Sequence, residues 1–342
     1  VPTLGRLLSP FRLAWAGFIL LVVTVAILLT QGSDKYLEIP DTAHPLANLV
    51  QVPNAKPDAD GGGIYYVDVL LNRASLLESY IPYIRPEGSD LIDRSQVVEP
   101  GISDQESRNL DLATMKVSQE VASVVALREL GYRVPISPGG VRIVAVTSGS
   151  HAGGVVRPGD VIVAANGKKV RTRTDLAAVL AGIKPGGKVK ITVRRGGKKL
   201  TFSIRTTADT QNPKRTIIGV LPIQALSVRL PFPIKFNLRK VGGPSAGLAF
   251  ALELLEKKGR DVDRGYKVAA TGEIQLNGSV TRIGGIKQKT IGARKSHVDV
   301  FLVPVDGDNA RDAKRYGDGL RIIPVKSFQQ ALQALATLPP KS

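Results

Sequence analysis

The 342-residue sequence has no cysteine, which excludes disulfides, thiolate metal sites and cysteine nucleophiles together. Histidine is almost as scarce, with only His44, His151 and His297. A Ser-His-Asp triad or a histidine-rich metal centre therefore has little to draw on, and neither metal nor cofactor is expected. Aromatic residues make up 5% of the chain, too few to interleave with its basic residues as stacking platforms for single-stranded nucleic acid. No nucleic-acid motif is present, so no nucleic-acid partner is expected despite a net charge of +18.

That charge is unevenly spread. Residues 34–130 hold 16 acidic and 8 basic side chains, whereas residues 141–240 hold 20 basic and 3 acidic ones. A middle domain carries nearly all the excess, a field that suits acidic peptides, anionic lipid or plain solubility. The 35 glycines and 22 prolines point to many turns and short strands rather than a helical bundle, and the length points to more than one folded unit.

One long apolar run is present. Between Arg12 and Asp34 no residue is charged, and 21 helical residues at about 1.5 Å each reach roughly 30 Å, the thickness of a bilayer core. Arg6 and Arg12 precede the run, while Asp34, Glu38 and Asp41 follow it. The positive-inside rule then places the bulk of the chain outside the cytoplasm. The run exceeds the usual signal-peptide core and no clean Ala-x-Ala site follows, so it reads as an uncleaved single-pass anchor in the cell membrane, residues 13–33, after a cytoplasmic stub at 1–12.

Residues 34–63, rich in Pro, Gly and Asp, read as a tether with at most one short strand. Ile64–Leu71 is a β-type run, and apolar positions at helical spacing from Gln105 to Leu130 predict an amphipathic helix stopped by Gly131. Both lie in a segment, 64–131, expected to pack on a downstream core. From Val141 the pattern becomes strands and turns: an alternating Val-Arg-Ile-Val-Ala-Val, an Asn166-Gly167 turn, a short helix at Thr174–Ala181 and a hairpin from Val189. Gly182–Val189 fits G-x-x-x-x-G-K, but Val189 replaces the hydroxyl that would hold magnesium and the stretch follows a helix, so no nucleotide site is inferred.

With Gly139-Gly140, Ser148-Gly-Ser-His-Ala-Gly-Gly and Arg157-Pro-Gly-Asp-Val-Ile-Val-Ala-Ala-Asn-Gly-Lys, residues 132–208 resemble bacterial PDZ domains. The resemblance implies a peptide-binding module. Gly139, Gly140, Val141, Arg142 and Ile143 would form its carboxylate-binding loop, where backbone N–H groups hold a peptide C-terminus beside an open strand edge.

Farther on, strands give way to the turn Val241-Gly-Gly-Pro-Ser245-Ala-Gly, which leads into an apolar helix. Serine at a helix N-terminus sits among unpaired N–H donors and the positive dipole end, where an oxyanion is stabilised; Gly243 and Ala246 are the candidate backbone donors. The hydroxyl needs a base. A lysine serves if apolar burial keeps it neutral, and both Lys287 and Lys289 lie in the downstream Gly284-Gly-Ile-Lys-Gln-Lys stretch. Composition alone does not choose between them.

Pro-Ser-Ala-Gly, then Thr271-Gly-Glu, then Gly-Gly-Ile-x-x-Lys resembles the proteolytic domain of the Lon family of Ser-Lys peptidases. With the PDZ-like unit and the anchor, the whole chain is similar to the PDZ-containing, membrane-bound bacterial members that lack an ATPase module. The resemblance implies an α+β proteolytic domain at 215–340, with Ser245 as nucleophile, Lys289 rather than Lys287 as base, and Thr271 positioning the lysine. It also implies ATP-independent cleavage of unfolded or flexible protein substrates, and a homo-oligomer, possibly a hexamer, as Lon domains form rings. One position departs from the pattern: Gly242 stands where Lon proteases commonly carry an acidic residue. Two rivals remain. Gly243–Gly247 also fits the G-x-S-x-G elbow of α/β-hydrolases, with His297 and Asp261 or Asp263 as partners; and an inactive protease could scaffold partners through its PDZ unit.

Overall fold

The structure, a computed structural model, describes residues 10–57, 61–98, 102–209, 212–238, 241–339 and 341. Most of the expected stub, with Arg6, lies outside the described residues. Helix α1 (Pro10–Thr30) is apolar on every side, and none of its residues is buried against the rest of the chain. By length and composition it is able to cross a membrane.

Strand β1 (Gly32–Pro45) follows at once, where the sequence suggested a tether. It pairs antiparallel with β2 (Gly63–Ser75) along its length and with β3 (Asp90–Asp93) on its other side. Its register shifts between Gly32 and Tyr36 and again between Pro40 and Ala43. Irregularities of this kind let a proline sit in a strand, and they hide the two-residue alternation by which a strand is read. β2 in turn pairs parallel with β9 (Lys267–Ala270), which pairs with β10 (Val300–Pro304), which pairs with β11 (Arg321–Val325). One mixed sheet results, in the order β11-β10-β9-β2-β1-β3. The segment 64–131 is thus part of the proteolytic domain's own sheet and core, not an appendage to it.

The parallel strands are covered on both faces, which is why they read as unbroken apolar runs. Val268, Ala270, Val300 and Leu302 face a core shared with helices α3 (Asp104–Glu129), α5 (Gly247–Lys257) and α8 (Phe328–Ala336). The intervening Ala269, Phe301 and Val303 face the opposite core, under α6 (Ile286–Lys295) and α7 (Asn309–Gly317). α5 is the most enclosed helix, with every residue from Gly247 to Leu255 buried. Truncating a Leu there to Ala costs about 2–5 kcal/mol. The Ser245 turn is therefore mounted on a helix enclosed over most of its length.

Between α3 and α5 the chain leaves to build a second domain. Strands β4 (Ile136–Val146), β5 (Val161–Ala165), β6 (Lys188–Arg195) and β7 (Lys198–Arg205) form an antiparallel sheet over helix α4 (Arg173–Ala181), around Ile143, Ile162, Val189, Ile191 and Ile204. Thr172 caps α4 through a reciprocal capping box with Asp175. The sheet's edge strand is β8 (Val220–Val228), which pairs with β4 over its whole length. Expectation ended this domain at residue 208 and assigned the chain from residue 215 onward to the proteolytic domain. Alternating apolar residues such as Leu221, Ile223 and Ala225 announce a strand, but nothing in them says which sheet it joins. A small fourth core at Val124, Leu127 and Val134, with Val228, Leu230 and Phe232 against it, joins the two domains.

Candidate active site and peptide groove

Lys289 Nζ donates to Ser245 Oγ across 2.7 Å. The two residues come from the starts of different helices, α5 and α6, on opposite faces of the sheet. Lys289 is 3% exposed. Burial strips water from its ammonium and drags its pKa from 10.5 down to about 8, against the opposing pull of the Asp68 and Glu38 carboxylates. Those two acids are themselves destabilised as anions. Burial first, then the neighbouring Asp41, pushes Asp68 up to about 6, and burial raises Glu38. Lys287, two residues away, points elsewhere: its Nζ lies 2.6 Å from Asp90 Oδ1 on β3, in a partly exposed ion pair.

Thr271 is fully buried, and its hydroxyl donates to the Ser245 carbonyl at 3.2 Å rather than to the lysine. The Gly272 N–H donates to the same carbonyl at 2.7 Å. The Thr-Gly pair thus clamps the Ser245 backbone. Ser118 on α3 braces the turn from the other side, donating to the Pro244 carbonyl at 2.9 Å.

The expected donor at Gly243 is already committed, because its N–H donates to the Asp111 carbonyl at 2.8 Å. Ala246 precedes α5 as its N-cap. Its N–H, like that of Ser245, has no hydrogen-bond partner among the described residues. The departure at Gly242 also finds a physical reason. A Cβ there would lie 2.6 Å from Asp111 Cβ, so any side chain would collide with α3. Asp111, its carboxyl pKa raised by burial, sits where that side chain would have been. No motif pointed to Asp111, Asp68 or Glu38; they reach the site only through the sheet and the packing of α3.

Around the pair opens a cleft of about 580 Å³, walled by Val69 and Leu71 of β2, Leu112 and Arg108 of α3, and the 282–284 turn. β9 covers β2 only from Gly63 to Tyr66. Beyond that the same edge of β2, at Val69 and Leu71, borders the cleft. His297 lies in the turn after α6, its N–H on Arg294 O, and makes no hydrogen bond with Ser245 among the described residues. Asp261 and Asp263 accept from the backbone N–H groups of Arg264 and Gly265.

The segment Gly139–Ile143 is not a loop. It lies inside β4, paired with β8 on one side and β5 on the other. Gly140 is required by close approach, not by a turn: at φ +114°, a Cβ would fall 2.4 Å from the Ile162 carbonyl oxygen. The domain's concavity lies elsewhere, a groove of about 590 Å³ between α4 (Arg173, Ala177, Leu180) and the stretch Lys214–Pro222. β8 forms one of its walls, and its outer edge pairs with no strand among the described residues.

Among the described residues, two clusters bring metal-type ligand atoms within 4.8 Å of one another, Asp41-His44-Asp68 and Glu256-Asp261-Asp263. Internal bonds account for both. His44 Nε2 lies 3.1 Å from Asp41 Oδ2 and its ring stacks on Tyr66, while Glu256 accepts from the N–H groups of Val262 and Asp263.

Residues 239–337 match the Lon protease (S16) C-terminal proteolytic domain, and residues 115–206 match the PDZ domain family. The PDZ match begins inside α3 and stops before β8. Among curated proteins, the chain is 30% identical to the Lon protease of Mesomycoplasma hyopneumoniae over 40% of its length and 17% of that protein's. To Lon protease 2 of Bacillus subtilis it is 36% identical, over 29% of its length and 18% of that protein's. The chain thus spans less than a fifth of these relatives. Among solved structures, the PDZ domain of the SdrC-like protein from Listeria monocytogenes is 26% identical, with 25% of this chain and 87% of that one covered and a TM-score of 0.23. The chain carries a Lon-type proteolytic domain and, set into it ahead of the serine motif, a PDZ domain.

Proposed function

We propose that the protein is a membrane-anchored serine endopeptidase using a Ser245–Lys289 dyad on unfolded or flexible polypeptides, without ATP. The reading rests above all on a buried lysine amine 2.7 Å from a serine hydroxyl at a helix start. With the amine neutral, its lone pair accepts the Ser245 Oγ proton over this contact as Oγ attacks the scissile carbonyl carbon. The resulting oxyanion accepts from the N–H groups of Ser245 and Ala246. Collapse expels the amine, which takes its proton from the Lys289 ammonium and leaves an acyl-serine. Water repeats the sequence and releases the acid.

An extended substrate adds along the β2 edge at Val69–Leu71, its side chains entering the apolar cleft. A substrate tail docks along β8 in the α4 groove of the PDZ domain, whose rim carries Arg173, Lys214 and Arg215, cations suited to a terminal carboxylate. α1 anchors the chain, with both folded domains on the extracytoplasmic side. Assembly into a homo-oligomer rests on the family resemblance alone.

Peptide hydrolysis by the full chain and its Ser245→Ala, Lys289→Ala and Lys287→Ala variants tests the reading. The first two fall silent and the third stays near the parent. A silent His297→Ala beside an active Lys289→Ala would transfer the assignment to an α/β-hydrolase mechanism.

A further inference from the structure

Among the described residues outside α1, large apolar side chains with substantial exposure stand singly or, at Leu70 and Leu71, as a pair beside the cleft, and one larger group remains. Tyr80, Ile81, Tyr83 and Ile84 are 80%, 39%, 98% and 45% exposed within five consecutive residues. They sit on a built structure. Ser75 caps the short helix α2 (Leu76–Tyr80) through a capping box with Glu78, and a 3₁₀ turn at Pro82–Ile84 follows. Arg85 then reaches back, donating from Nε to the Glu78 carbonyl at 2.7 Å and from Nη2 to the Ser79 carbonyl at 3.0 Å. The four side chains are therefore displayed by a closed turn, not by a trailing loop.

Its position is fixed by the end of α1. The Leu76 N–H donates to the Gln31 carbonyl at 2.8 Å, one residue past the last of α1, and Ser75 faces Gly32 across the β1–β2 pair. If α1 spans a bilayer, Gln31 marks the bilayer surface, and the turn stands at the same height. Tyrosine and isoleucine exposed there match the chemistry of the headgroup boundary, where amphipathic rings keep one end apolar and one end wet. We infer that residues 76–85 rest in the lipid interface beside the exit of α1, giving the catalytic domain a second, non-covalent foothold on the membrane. This rests on the reading of α1 as a span. Continuity with α1 favours lipid over a protein partner, because whatever surrounds the helix end also meets this turn.

The absence of cysteine makes the test direct. The full chain carrying Tyr83→Cys, labelled with an environment-sensitive dye, is reconstituted into liposomes containing lipids with nitroxides at shallow or deep positions. Phe18→Cys in α1 and Lys198→Cys on the PDZ hairpin serve as references, and Ile84→Cys repeats the measurement should Tyr83→Cys fold poorly. The expected result is shallow quenching at position 83, severalfold above position 198, with deep quenching at position 18. A label at 83 quenched no more than at 198, with 18 still quenched, overturns the inference and leaves the anchor standing. A blue-shifted but unquenched label at 83 also overturns it, in favour of a protein partner or second copy. Absence of quenching at both 18 and 83 would remove the anchor, and this inference with it.

Discussion

The cleft at Ser245 and the groove on the PDZ domain are nearly equal in volume, yet they are built in opposite ways. The groove comes from two nearby pieces of chain, 173–181 and 214–222, with its charges at the rim. The cleft draws Val69, Asp111, Ser245 and Lys289 from across the chain and buries the Lys289 amine among them. Recognition of an extended tail needs an edge and a pocket, which local chain supplies. Activating a serine with a lysine needs a charge removed from water, and only a core assembled from distant segments excludes water well enough.

Variants sharpen this contrast. The largest effect belongs to the dyad: Ser245→Ala or Lys289→Ala is expected to cut kcat by about 10³-fold or more. Peptide affinity at the groove, read by fluorescence titration, should stay unchanged. A parallel loss of affinity would mean that the two concavities are not independent.

The second effect is on stability. Holding Lys289 at a pKa of about 8 instead of 10.5 costs on the order of 3 kcal/mol below pH 8, at about 1.4 kcal/mol per unit. Lys289→Met should therefore inactivate the protein while raising its Tm. The folded pKa is the depressed one, so the gain is complete below about pH 8 and fades as pH rises toward 10.5. Scanning calorimetry at pH 7 and pH 10 checks both sign and window.

A third change addresses the groove alone. Ala177→Trp, at an exposed position of α4, should raise KM roughly tenfold, about 1.4 kcal/mol, for substrates with a docking tail. It should not touch short peptides that reach only the cleft. The smallest expected effect is a displacement along the pH axis. At pH 7 only about a tenth of Lys289 is neutral, so kcat should rise toward pH 8 and above. Asp68→Asn removes an anion that holds the proton on Lys289, and should move that rising limb to lower pH. A move to higher pH would mean that Asp68 serves mainly to position the lysine.

The same contrast marks what could be read from the sequence. The turn at Ser245 was legible because glycine, proline and small residues bracket it at short range, whereas the choice of Lys289 over Lys287 came only from the resemblance to the Lon family. α3 was legible by periodicity, and the expected helix 105–131 stands at Asp104–Glu129. Gly139-Gly140 looked like a turn, because a sequence does not distinguish glycines that bend the chain from glycines that let strands touch. β1 was hidden by Pro40 and its register shifts, and with it went Glu38. Asp68 and Asp111 stayed invisible because their role comes from strand pairing and helix packing across more than 130 residues of chain. Thr271 lay in a recognisable motif, but its partner, the serine backbone instead of the lysine, followed only from coordinates.

The PDZ domain leaves and rejoins the proteolytic domain through two strands that face each other, Ile136 opposite Val228. A single linker would let the domain swivel. Two hydrogen-bonded strands, seated on the small core at the end of α3, resist twist and share tension over several bonds at once. The groove and the cleft therefore stand at a set separation, as the jaws of a caliper do. Under the proposed function, a polypeptide gripped by its tail at one would be cut at a constant number of residues from that tail at the other.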